Sequence, residues 1–304
     1  MSRSNILQPG ELEEARGAIA EWHVPAVDLF LRREKRCRQL ARQGNMLAAY
    51  LHFVARLCAL QHEELQDSIA VARCDEATGQ RSFVASPVLP QLWTLVRRLG
   101  TTLADTLPSA QRHLFGALPE RAEPWFTEQV DALLAGHLPA AAGVVVATAP
   151  LTAAALQVAW TRQVRLCAQT LPPRHEESAV CPLCGGQPVA GVIVAAGPSK
   201  GLRYLHCGLC GSGWHVVRSK CSHCGGSQGL SYCTVQGLLE HVRAELCLTC
   251  RSYIKVMYQE QEPELEPLAD DLATLALDLR MAEDGYLRSG TNPLFSPGPA
   301  SSPV

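Results

Sequence analysis

Residues 181–210 read CPLCGGQPVAGVIVAAGPSKGLRYLHCGLC and residues 221–250 read CSHCGGSQGLSYCTVQGLLEHVRAELCLTC, so two Cys-x2-Cys pairs with 22 residues between them occur twice, at an offset of 40. Laid over each other without a gap, 181–220 and 221–260 agree at ten positions. These are the four cysteines, Gly185 with Gly225, Gly186 with Gly226, Gly197 with Gly237, Arg203 with Arg243, Ser212 with Ser252 and Val216 with Val256. No other feature constrains the fold as much. A Cys-x2-Cys turn followed by glycine carries two thiolates to one ion, and a second such turn completes a tetrahedral four-sulfur site. The expected sites are Cys181, Cys184, Cys207 and Cys210 for one ion, and Cys221, Cys224, Cys247 and Cys250 for another. A cross-braced pairing, first knuckle with third, is the alternative and would interrupt the duplicated unit.

Histidine ligands fail the repeat test, because His206, His215, His223 and His241 align with Leu246, Lys255, Leu183 and Gly201. Cys233 aligns with Ile193 and reads as a small apolar residue rather than a fifth ligand. Four thiolates suit zinc or a single iron equally. Either site would be coordinatively closed, with no open position for activated water, so the metals are expected to organise a surface rather than hydrolyse a substrate. A dithiol redox enzyme is the competing reading, but it needs one Cys-x2-Cys at a helix start rather than four regularly spaced copies.

The remaining cysteines, Cys37, Cys58, Cys74 and Cys167, are scattered through a different kind of sequence. Val27, Phe30 and Leu31, then Leu47, Leu51, Val54 and Leu57, fall at helical spacing, and further helices are expected at 88–105, 123–136 and 143–170, with SPVLP and LPSAQ as joints. The basic run RREKRCR at 32–38 reads as a solvated helix face, with a partner-binding face as the alternative. The uncharged stretch 138–161 is rich in alanine and interrupted by Pro139 and Pro150, which fits a buried helix better than a membrane span. The polar start MSRSNILQPGELEEARG has no apolar signal region, and this with the cysteine usage predicts a cytoplasmic chain. LPPRHEESAV at 171–180 is the expected linker.

A net charge of about -2 gives no general attraction to nucleic acid. The metal region itself carries seven Lys and Arg against three Glu, so a nucleic-acid-binding ribbon stands as the alternative function. Its aromatics, Tyr204, Trp214, Tyr232, Tyr253 and Tyr258, would have to be exposed to stack on bases.

The stretches CPLCGG, RYLHCGLCGSGWHVVRSKCSHCGG and EPLADDLATLALDLRMAEDGYLRSGTNPL resemble the formate dehydrogenase accessory protein family, FdhE, and VPAVDLFLRREKRCRQLARQGNMLAAYLHFVARL does so more loosely. The resemblance implies a non-enzymatic cytoplasmic chaperone. Its implied client is the catalytic subunit of respiratory formate dehydrogenase, bound before twin-arginine export, and its implied metal sites are rubredoxin-like, holding iron or zinc. All eight cysteines of the family pattern are present.

Leu268, Leu272, Leu275 and Leu279 predict one packed helix after the ribbons, in an acidic segment whose only base between 261 and 287 is Arg280. Its acids read either as helix-dipole and internal pairing groups or, at Asp270, Asp271 and Asp278, as a face that meets basic groups of a client. No phosphate loop, nucleophile elbow or HExxH is present. The expected architecture is α+β: a helical domain at 1–175, metal modules at 176–220 and 221–262 of rubredoxin-like or zinc-ribbon type, and a C-terminal helix with a flexible tail at 263–304.

Overall fold

The structure, a computed structural model, describes residues 20–66, 85–107, 112, 115, 118–119, 124–137, 144–167 and 178–295. Cys74, most of the expected linker and the tail from 296 lie outside the described residues.

Helices α1 (Leu29–Arg42), α2 (Ala48–Gln66), α3 (Ala85–Ala104), α4 (Pro124–Leu134) and α5 (Val144–Leu166) form the first half. From Val144 onward the uncharged stretch lies in α5, which packs against α2, α3 and α4 and is buried continuously from Thr148 to Thr161; residues 138–143 lie outside the described residues. Its alanines allow that close approach. No described helix is long and apolar enough to cross a membrane. The SPVLP stretch is not a joint: α3 begins at Ala85 and runs through it, with Pro87 in the first turn, where proline is tolerated, and Pro90 inside the helix.

The inward face of α1 also differs from the expected one. Val27 and Leu31 are exposed, whereas Leu29, Phe30, Cys37 and Leu40 are buried together with Arg33 and Arg36. Two members of the basic run therefore point inward, which a solvated face does not allow. The reason lies across the chain, where Glu266 and Asp270 wait as partners.

The second half is built on one sheet. Strands β2 (Pro188–Ile193), β3 (Arg203–Cys207) and β4 (Gly213–Val216) come from the first repeat, and β5 (Leu230–Cys233), β6 (Val242–Cys247) and β7 (Ser252–Tyr258) from the second. Each trio is antiparallel, and the trios join through parallel pairing of β2 with β7. The helical half also contributes a strand: β1 (Trp22–His23) pairs antiparallel with β4, so the first 170 residues are not wholly helical. The full order is β1-β4-β3-β2-β7-β6-β5, with β8 (Leu287–Arg288) pairing β7 beyond the end of β2.

Side chains alternate across this sheet as the strand period requires. Leu205, Trp214, Ile254 and Val256 join the core of the helical half, while Val242, Ala244, Tyr253 and Met257 form a second core with Leu277 and Met281. The C-terminal segment is two helices rather than one, α6 (Pro267–Ala273) and α7 (Leu275–Glu283). Thr274 interrupts them with φ -119° and ψ 32°, its hydroxyl donating to the Asp270 carbonyl at 2.8 Å. That break changes the helix phase, so Leu277 and Met281 are buried and Leu279, expected in the core, is exposed. Helix α6 wedges between α1 and β2. It starts at Pro267, and the Glu266 carboxylate caps it by accepting from the Leu268 and Ala269 amides at 3.1 and 2.9 Å.

Candidate metal centres

The knuckle turns come directly from the matched residues. In the first, the Cys181 amide donates to the Gly186 carbonyl at 2.8 Å and the Gly185 amide to the Cys181 carbonyl at 2.8 Å; the second repeats both bonds at Cys221, Gly225 and Gly226. Gly185 and Gly225 take φ of 75° and 73°, a left-handed conformation that glycine adopts without penalty. Ser212 and Ser252 place their hydroxyls 3.2 and 3.0 Å from the sulfurs of Cys210 and Cys250. The repeat showed these serines only as a match; their position identifies them as polar support for a thiolate.

Cys181, Cys184, Cys207 and Cys210 form one group and Cys221, Cys224, Cys247 and Cys250 another, with sulfurs in each within 4.8 Å of one another. The pairing is sequential, not cross-braced. Sulfur separations are 3.7 Å for Cys181–Cys210, 3.4 Å for Cys184–Cys207, and 3.8 Å for both Cys221–Cys250 and Cys224–Cys247. Four sulfurs bound to one ion at about 2.3 Å stand about 3.8 Å apart, whereas a disulfide needs about 2 Å. Each group is therefore shaped to hold one ion, and such an ion would supply charge to keep four thiolates together. Without that charge, burial raises the Cys181 thiol well above its usual range.

The two groups differ in their surroundings. The first is sealed: all four cysteines are buried in the core of the helical half, the Gln157 amide of α5 donates to the Gly208 carbonyl at 2.7 Å, and the Thr161 hydroxyl donates to the Cys210 carbonyl at 3.2 Å. The second is open, with Cys224 exposed and Cys250 partly so, beside the exposed Leu248.

Among the described residues, neither group includes a histidine. His206 is pushed down to about 4 by burial, with His23 and Arg32 adding to the effect, and stays neutral beside Cys207. Cys233 stands outside the second group and packs against the second core. Burial pushes the thiol of Cys37 well up and that of Cys58 up to about 12, so neither is a reactive thiolate. Trp214 and Tyr204 are buried, and so are not a stacking platform for bases.

Three family descriptions match this chain end to end across the described fold: "FdhE, N-terminal" at 20–179, "FdhE, central domain" at 180–218, and "FdhE, C-terminal domain" at 219–295. The chain belongs to the FdhE family. A protein FdhE homolog of Pseudomonas aeruginosa is 40% identical, the match covering 98% of this chain and 99% of the relative. Protein FdhE of Salmonella dublin is 36% identical over 89% of each. The crystal structure of the FdhE protein from Pseudomonas aeruginosa superposes with a TM-score of 0.77 at 37% identity, covering 92% of this chain and all of that one.

In this FdhE chain the acids of the C-terminal helices serve its own cations. Asp270 faces α1, taking Arg36 at 2.6 Å and His241 at 2.7 Å. Asp271 faces the opposite way, toward Lys255 at 3.0 Å and Arg288 at 2.5 Å, and Asp278 receives Lys255 at 2.5 Å and the Tyr253 hydroxyl at 2.7 Å. Asp270 and Asp271 are fully buried, so the reading in which these acids present a face to a client is replaced by internal pairing. Burial by itself would raise both carboxyls; the His241 and Arg36 bonds to Asp270, and the Arg288 and Lys255 charges at Asp271, more than offset it and hold them low. Arg203, repeated as Arg243, is also structural. It is buried, pairs with Glu245 of the second repeat, and donates to the carbonyls of Val217 and Lys220, both at 2.7 Å.

Proposed function

We propose that this chain is a cytoplasmic accessory protein for the assembly of respiratory formate dehydrogenase, holding the catalytic subunit before its twin-arginine export. The observation that carries the reading is membership of the FdhE family over residues 20–295 with all eight cysteines gathered into two four-sulfur groups. Those cysteines would hold one ion each, iron or zinc. A four-sulfur site has no free position for substrate, so its contribution is to fix the ribbons that present a binding surface. We read the chain as non-enzymatic on the same ground.

The test is co-purification of a tagged full-length chain with the formate dehydrogenase catalytic subunit from anaerobically grown cells, together with formate dehydrogenase activity in a strain lacking the chain. Association with the catalytic subunit and loss of activity in the deletion strain are expected. Normal activity in that strain with no association would overturn the reading.

A further inference from the structure

The segment that follows β7 shows what the cations of α1 can recognise. Residues 262–266, Glu-Pro-Glu-Leu-Glu, lie along the helix and set alternate carboxylates on its cations: Glu262 on Arg36 at 2.9 Å, Glu264 on Lys35 at 2.5 Å and Glu266 on Arg33 at 3.0 Å. The chain thus seats an acidic segment against a basic helix by charge complementarity. Two of these pairs have their arginine buried. The third, Lys35–Glu264, keeps 69% and 55% of its side chains exposed, and so is the one an incoming carboxylate can replace at little cost.

Lys35, unlike Arg33 and Arg36, belongs to an outward face of α1. Leu31, Lys35, Arg38 and Arg42 follow at steps of four, three and four and share one helix face. Arg38 pairs with Glu34, and Arg42 has no ion pair among the described residues. Two hollows meet at Lys35–Glu264. One, of about 560 Å³, has mixed walls that include Val192 and Leu265 as well as Arg32 and Glu266; the other, of about 400 Å³, is lined by Lys35, Arg38, Gln39, Arg42, Gln43 and Glu264. Leu31, on the same face, is an exposed apolar side chain.

We propose that this face docks an acidic segment of a partner polypeptide. Two of its carboxylates engage Arg38 and Arg42, a third displaces Glu264 from Lys35, and a flanking apolar side chain rests on Leu31. This would give an accessory protein a client surface, but it does not rest on the client being formate dehydrogenase, and its test uses none.

The probe is a fluorescent synthetic peptide, Glu-Pro-Glu-Leu-Glu-Pro-Leu, copying residues 262–268, added to the full-length protein at low salt and followed by anisotropy. Saturable binding is expected, weakening steeply with salt and by about tenfold in the Arg38→Glu, Arg42→Glu double variant. Glu264→Gln, which frees Lys35, should tighten it. Both changes lie on an exposed face, and circular dichroism checks that the helices persist. No binding, or binding indifferent to these variants or to glutamine in place of the peptide's glutamates, would overturn the proposal. Two further results would also overturn it: a single-stranded oligonucleotide binding the same face more tightly, or the double variant changing the protein's mass by light scattering, which would make the face a contact between copies.

Discussion

Arg36 and Asp270, 234 positions apart, meet in the interior as a two-pronged ion pair, Nη2 to Oδ1 at 2.6 Å and Nε to Oδ2 at 2.9 Å, with 1% and 0% of their side chains exposed. The pair ties α6 to α1. Removing Asp270 leaves the buried Arg36 with only the partly exposed Glu262, so Asp270→Ala should cost about 3–5 kcal/mol in urea unfolding. Arg36→Met combined with Asp270→Leu should recover much of that loss, because no unpaired charge is then buried. A single variant as stable as the parent would show that the pair does not anchor α6.

The depressed carboxyls set the acid limit of the fold. Asp270 and Asp271 have folded pKa values below their unfolded ones, so their contribution is complete above about pH 4 and is lost as pH falls through the folded values. Unfolding midpoints should therefore drop below about pH 4. In Asp271→Asn, which is less stable throughout, the drop over that window should be shallower. Parallel curves for variant and parent would remove Asp271 from the account.

The unequal burial of the two sulfur groups predicts unequal metal release. A competing chelator at neutral pH should withdraw one of two equivalents readily, from the group containing exposed Cys224, while the other stays until the helical half unfolds. Cys224→Ser should lose one equivalent and keep its helical signal, whereas Cys184→Ser should lose both metal and cooperative unfolding, because metal and folding energies are linked. Release of both equivalents at one rate would contradict the asymmetry.

Glycines at matched positions should differ in the same sense. A Cβ at Gly186 would stand 3.0 Å from the Cys207 sulfur and 3.3 Å from that of Cys184, whereas at Gly226 it would meet only the Cys224 sulfur, at 3.4 Å. Gly186→Ala should lower metal content and melting temperature; Gly226→Ala should leave both near the parent. Elemental analysis and a melting curve decide the comparison.

The sequence exposes the sulfur groups because duplication repeats a spacing, and a spacing of ligands is local information. The inward turn of Arg33 and Arg36 was not legible, since a basic run reads as solvated until its partners are known, and Glu266 and Asp270 lie more than 220 residues away. The exposure of Leu279 is not legible either, because the leucine spacing runs unbroken through Thr274, where the backbone does not. Strand β1 is not legible in the sequence for a simpler reason: two residues carry no period, and Trp22 becomes a strand residue only when Trp214 lies beside it.

The parallel junction of β2 with β7 also gives the duplicated sheet a direction. Two copies related by a two-fold axis would have identical ends, but copies joined head to tail do not. At one end, Trp22–His23 lies on β4 where a preceding copy would lay its strand. At the other, β5 has its outer backbone groups unpaired by any described strand. A third copy could therefore be added to this array from one side only, and the helical half, through β1, is what ends it on the other.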